Sequence, residues 1–184
     1  MKQTQNQDKL NVRKIISLLT LLFVWQFQAQ ETNKLKIKSI DYGAIGIYTN
    51  LDKNGARGYC SNIELVSNYQ RSLYSVNYTL GFGITEKDNK IHDLQGFMSV
   101  DALYGRIIKV SRTIVFEPYL GLGYIIQSNT ADAGGKSAIG FPIRAKFLFQ
   151  ASKKFAIGLN PNATVNNVHT IYSANVILRF GFLN

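Results

Sequence analysis

The sequence predicts an all-β chain, an eight-stranded antiparallel up-and-down transmembrane β-barrel behind an export signal. Three observations predict it. Short stretches of strict apolar/polar alternation fill the chain after Glu31. Their polar faces are small and carry few charges. Long and short polar gaps alternate between the stretches.

Of the 184 residues, 1–29 read as a signal peptide and 30–184 as the barrel domain. Lys2, Lys9, Arg13 and Lys14 make a basic head, followed by an apolar run from Ile15 to Phe27. That run is shorter than the roughly 20 residues a spanning helix needs. Cleavage is expected after Ala29, although Phe27 stands where a small residue is usual. An uncleaved anchor or a core helix is the weaker reading.

Removing this segment leaves 17 basic and 10 acidic residues, a net +7. The basic residues fall at strand ends, in turns and at alternate strand positions, where they meet solvent or anionic head groups. They form no stripe with interleaved aromatics, so nucleic acid is not an expected partner. Cys60 is the one cysteine, without a partner for an internal disulfide or the spacing of a metal site. It reads as a structural thiol facing inward or lying at an interface.

The strands follow in order. Weaker alternation marks Ile37–Thr49 and Tyr59–Tyr69. The clearest run is 72–85, with Tyr74, Val76, Tyr78, Leu80, Phe82 and Ile84 on one face and Ser, Asn, Thr and Gly on the other. Leu94–Ile108 is weaker again. From Ile114 to Gln127, Phe116, Leu120, Leu122 and Tyr124 oppose Glu117, Tyr119, Gly121 and Gly123. From Ile139 to Gln150, Phe141, Ile143, Phe147 and Phe149 oppose Pro142, Arg144 and Lys146. A short stretch spans Phe155–Asn160, and 173–181 closes the set with Ala174, Val176, Leu178 and Phe180 against Asn175, Ile177 and Arg179.

The gaps at 50–58, 86–93, 128–137 and 161–170 are long and rich in Asn, Asp, Gly and Lys. Those near 70–71, 110–112 and 151–154 are short. Outer-membrane barrels show this asymmetry, with short periplasmic turns and longer external loops. A soluble β-sandwich or lipocalin-like barrel would reverse the faces. Its polar face would be solvated and rich in Lys and Glu, whereas small residues suit a narrow eight-stranded lumen. Tyr42, Tyr59, Tyr69, Tyr74, Tyr124 and Tyr172 lie where aromatic girdles would meet the membrane interfaces.

The segment Phe116-Glu117-Pro118-Tyr119-Leu120-Gly121-Leu122-Gly123-Tyr124 resembles the PY-x-G-x-G-x strand of small OmpA-like and porin-family outer-membrane β-barrel proteins. The closing strand, Asn175 to Phe182, resembles the C-terminal strand by which such barrels are recognised during assembly. The chain departs from that pattern in ending Phe182-Leu183-Asn184. The resemblance implies a bare barrel, without a peptidoglycan-binding domain, in the outer membrane of a Gram-negative bacterium. Its implied partners are outer-membrane lipids, lipopolysaccharide and the assembly machinery, with a monomer expected.

Counting by parity sends Asp41, Glu64, Asp101, Glu117, Arg144, Lys146 and Arg179 into the lumen. Charges removed from water must be paired. Four acids against three bases favour a structural salt-bridge plug over an ion or substrate path. A lipid-acting enzyme would need a nucleophile with a base in reach. The two histidines, His92 and His169, fall in predicted external loops outside any Ser/His motif. No catalytic residue, cofactor or metal site is therefore expected. The leading function is a structural or surface-interaction role through the external loops. A narrow pore or transporter is the first alternative, and a lipid-modifying barrel the second.

The mature protein is expected to fractionate with outer membranes, to resist carbonate extraction and to run faster unheated than boiled on SDS gels. Recovery from the soluble periplasm without detergent would reverse the faces assigned above.

Overall fold

The computed structural model describes residues 35–50, 55–87, 90–129, 135–168 and 170–181, without the side chains of 86, 87, 90–92 and 129. The expected signal peptide, most tips of the expected long loops and the last three residues lie outside them. The described residues form eight long strands: β1 (Lys36–Asn50), β2 (Ala56–Tyr69), β3 (Ser72–Lys87), β4 (Lys90–Arg106), β6 (Ile114–Asn129), β7 (Lys136–Gln150), β8 (Phe155–Asn166) and β9 (Ile171–Gly181). A two-residue strand, β5 (Ile108–Lys109), lies in the connection between β4 and β6.

All pairings are antiparallel, in the order β4-β3-β2-β1-β9-β8-β7-β6, and β4 pairs with β6 to close the ring. Closure leaves no long strand with an unpaired edge, which is the condition for a sheet to cross lipid. The chain has the predicted class, a closed eight-stranded all-antiparallel barrel. Turns 70–71, 107–113 and 151–154 lie at one end, here the turn end, with Leu35 and Gly181; the other connections lie at the loop end.

The long strands run from 11 to 17 residues, longer than the ten or so a tilted membrane strand requires. Their ladders continue into the polar segments expected to be loops. Asn162–Asn166, for example, belongs to β8, and only residues 88–89 separate β3 from β4. The alternation of gap lengths is weaker than the sequence implies, because polar residues extend a ladder as long as the neighbouring strand does. Two prolines interrupt it locally. The β6–β7 pairing skips from Leu120↔Ile143 to Gly123↔Gly140 around Pro142, and the β7–β8 pairing breaks opposite Pro161. Proline brings no N–H to the ladder.

Alternation sorts the side chains as predicted. Ile45, Ile47, Tyr59, Phe82, Leu120 and Ile139 are among those exposed on the outer face, while polar residues such as Ser75, Asn77 and Thr79 and the charged residues assigned to the lumen are buried within. The expected girdle residues Tyr42, Tyr59, Tyr74, Tyr124 and Tyr172 are outward and exposed, and Tyr69 is half-buried. Tyr42 and Tyr124 sit mid-strand, opposite Ile63 and Val100. At the turn end the outer aromatics meet in cross-strand pairs: Tyr74 with Tyr104, Phe116 with Phe147, and Phe155 with Phe180.

Inside, large side chains lie over glycines of the neighbouring strand. Gly81 faces Phe97 and Gly105 faces Tyr119, and a methyl group at either glycine would strike the ring. Large and small residues thus alternate around a lumen too narrow for two large ones side by side.

Val100 lies mid-strand on the outer face, opposite Tyr78 and Tyr124. Val100→Arg is expected to weaken folding into lipid vesicles by roughly 2–4 kcal/mol, as an arginine at the bilayer midplane does. Phe147→Arg, three residues from the turn end of β7, should cost distinctly less. Urea-dependent folding of both variants checks the order; the reverse would misplace the apolar band.

Candidate functional site

The inward residues are layered. Along β2, from loop end to turn end, the inward positions read Cys60, Asn62, Glu64 and Val66. Each belongs to a different layer. Tyr48, Ala56, Cys60, Phe97, Ile125 and Ile171 form an apolar cluster towards the loop end, where Tyr48 and Phe97 meet edge to face at 4.8 Å. Two further clusters close the turn end, Val66, Leu73, Leu103 and Tyr119 in one and Val115, Leu148, Ala156 and Ile177 in the other. Ile107 packs against both. An amide layer and a charged layer lie between.

All seven charged residues that parity sends inward are buried in the lumen. The structure adds an eighth, Lys38. Together they form one chain of alternating sign. Lys38 Nζ lies 2.7 Å from Glu117, and Glu117 lies 2.7 Å from Arg179. Arg179 and Lys146 each reach Asp41 at 2.6 Å. Lys146 also reaches Glu64 at 2.8 Å, Arg144 meets Glu64 at 2.8 Å, and Arg144 ends the chain on Asp101 at 3.3 Å. Four acids and four bases make the layer neutral. Arg179 is doubly engaged with both Asp41 and Glu117, the planar fork geometry that suits guanidinium.

Neighbouring groups complete the network. Tyr119 Oη donates to Glu117 Oε2 at 2.9 Å, and Lys146 Nζ stands 4.8 Å from the centre of the Tyr119 ring. Asn77 Nδ2 donates to Asp101 at 3.0 Å, and Asn62 Nδ2 donates to Asn77 Oδ1 at 2.9 Å. The Asp101 end is less saturated, since among the described residues Asp101 Oδ1 and Arg144 Nε have no hydrogen-bond partner.

The links cross the lumen. In the ring of eight long strands β2 stands four places from β7, and β1 four places from β6. Glu64–Arg144, Glu64–Lys146 and Lys38–Glu117 therefore join diametrically opposite walls at contact distance. Side chains that touch across the full diameter leave no open water column between them.

Lys38 escapes sequence parity because the β1–β2 register slips between Ile37 and Ser39. The slip lets Lys38 and Asp41, three residues apart, both face inward. A second bulge leaves Ala44 and Ile45 both outward and turns Tyr48 inward. The signal was present in the broken alternation of Gly43-Ala44-Ile45-Gly46.

Cys60 faces inward and is buried, its Sγ 3.5 Å from the Ile47 carbonyl oxygen and 3.4 Å from Asn175 Nδ2. The His92 side chain and His169 lie outside the described residues. Among the described residues no group of three or more His, Cys, Asp or Glu is arranged to hold a metal ion. The site's chemistry is mutual neutralisation, since each of its four carboxylates, Asp41, Glu64, Asp101 and Glu117, already touches a cation.

No protein-family model matches the chain, and no curated protein matches it. Solved structures do. Neisserial surface protein A is 10% identical with a TM-score of 0.64, covering 79% of this chain and 96% of its own. Ail, the attachment invasion locus protein of Yersinia pestis, is 15% identical with a TM-score of 0.53, covering 80% of this chain and 99% of its own. The same protein in complex with the heparin analogue sucrose octasulfate gives 14% and 0.55, covering 79% and 97%. These likenesses show the fold, that of small eight-stranded outer-membrane barrels, and agree with the OmpA-like resemblance of the sequence.

Removing one partner of a buried ion pair typically costs about 3–5 kcal/mol. Arg179→Met takes a cation from both Asp41 and Glu117, leaving them only Lys146 and Lys38, and is expected to fall in that range. Lys38→Met should cost less, because the Lys38 side chain retains 25% exposure. Asp101→Asn, at the loosely bonded end, should cost least. Urea midpoints in detergent micelles give the ranking, and equal losses for all three would contradict a chain of unequal links.

Proposed function

We propose that this chain is an outer-membrane barrel, exported by its N-terminal signal, that acts through its outer surface and loop-end connections. The observation that carries this reading is the ionic chain joining opposite walls. A lumen filled across its diameter, with apolar clusters on both sides, works as a structural plug. The narrow pore or transporter is disfavoured on the same ground, since a conducting path would leave these groups in contact with water. In this reading the chain is not an enzyme, and no cofactor takes part.

The implied partners follow from position. The apolar outer band takes membrane lipid, the loop end meets lipopolysaccharide and the surroundings of the cell, and the closing strand engages the assembly machinery. This reading takes the barrel as a monomer, and closure supports it by leaving no long strand edge along which a second copy could extend the sheet.

Two measurements test the proposal together. Planar-bilayer recordings of the purified barrel should show no stable conductance steps. Single cysteines placed at Lys53 or Asp132 should label from outside intact cells, while cysteines at Arg71, Ser111 or Lys153 should not. Steady single-channel currents would restore the pore, and labelling of the turn end alone would invert the orientation.

A further inference from the structure

Among the described residues, charge outside the lumen is divided unevenly between the two ends. Arg71, Arg106, Lys109, Arg112, Lys153 and Lys154 are exposed at the turn end, and Lys36 at the start of β1 joins them. Among the described residues no acidic side chain is exposed there, and none of these cations makes an ion pair. The nearby acids, Asp41 and Glu117, are buried in the lumen and already paired. At the loop end the exposed cations among the described residues are Arg57 and Lys136.

We propose that the turn end carries a polybasic collar that binds the anionic phospholipid head groups of the leaflet around it. This rests on the membrane-spanning reading above and adds a lipid class and a side. Three features point to lipid over a soluble acidic partner. The cations alternate with exposed apolar side chains: Ile108 and Val110 flank Lys109, and Leu35 and Ile37 flank Lys36. Apolar and cationic residues interleaved on one short segment suit a membrane interface, where each finds its own medium.

The collar also sits just beyond the outward aromatic pairs, at the level where aromatic side chains mark the interface. Lys154 adjoins Phe155 of one such pair in sequence. Finally, Arg106 is held at that level, its Nε donating to Tyr104 Oη at 3.2 Å while Ser72 Oγ lies 3.3 Å from the same oxygen. Its remaining N–H groups are free for a phosphodiester, which guanidinium can grip through two parallel hydrogen bonds.

The test is lipid selectivity at the barrel surface. The protein is reconstituted in phosphatidylcholine vesicles with a trace of spin-labelled phosphatidylglycerol or phosphatidylcholine, and the motionally restricted fraction of each is compared. A single cation near a membrane surface contributes about five-fold in association, so the wild type should prefer phosphatidylglycerol by about three- to five-fold averaged over the boundary. The preference should fall to near one in 1 M salt, where screening acts within about 3 Å. It should also fall in the variant Arg71→Gln, Lys109→Gln, Arg112→Gln, Lys153→Gln, Lys154→Gln, and persist in Arg57→Gln, Lys136→Gln.

A wild-type preference near one overturns the collar. So does a preference that survives in the five-residue variant, or one lost in the loop-end variant. No preference combined with saturable binding of a labelled oligoglutamate would give the surface to a soluble acidic partner instead. If the five-residue variant does not fold, the salt titration of the wild type decides, and an unchanged preference at 1 M overturns the proposal. The absence of restricted lipid of either kind would overturn the membrane reading itself, a result separable from lost selectivity.

Discussion

The interior of this barrel is organised by one requirement: charged side chains brought into a narrow closed ring must neutralise one another completely. The chain from Lys38 through Glu117, Arg179, Asp41, Lys146, Glu64 and Arg144 to Asp101 meets it with alternating sign. No member can be changed without taking an ionic partner from at least one neighbour, and each interior carboxylate is held by cations from a strand other than its own or from across the ring. The cations come from β1, β7 and β9, and the acids from β1, β2, β4 and β6. The network is thus a statement about which strands must lie opposite which, and it favours one closure of the sheet over others.

The glycines serve the same requirement. Asp101 lies over Gly123 of the neighbouring strand, as Phe97 lies over Gly81 and Tyr119 over Gly105. A side chain at any of these positions would push its large partner towards the axis, where the charged residues already meet. The small, weakly charged inner face of the sequence and the dense ionic layer at its centre are two aspects of one packing problem. Glycine supplies the space, and the long charged residues fill it.

Much of this was legible in the sequence because a strand has a period of two, and one buried face fixes which residues share it. Seven of the eight lumen charges follow from that count, as do the outward aromatics at Tyr59, Tyr74 and Tyr172. What escaped the count are the places where the period slips. Lys38 lies at one bulge and Tyr48 lies beyond another, so each faces opposite to its nominal parity. Strand ends were also less legible than strand middles. Asn162–Asn166 reads as loop by composition, yet its backbone finds partners on β7 and β9. Composition reports where a segment meets water, and the ladder responds to the neighbour. The diametric pairing depends on strand order around the ring, which no local pattern encodes.

The ionic chain also constrains the route to the native state. Its links join residues between 43 and 138 positions apart, so none can form within a hairpin. β1, among the first strands made, carries Lys38 and Asp41, whose partners lie on β6, β7 and β9. A sheet that had entered lipid with its ring still open would present these unpaired charges to hydrocarbon. Contacts so distant in sequence form late and slowly. The cost of unpaired charge in hydrocarbon therefore favours keeping the unfinished ring at the water interface until its last strand closes it.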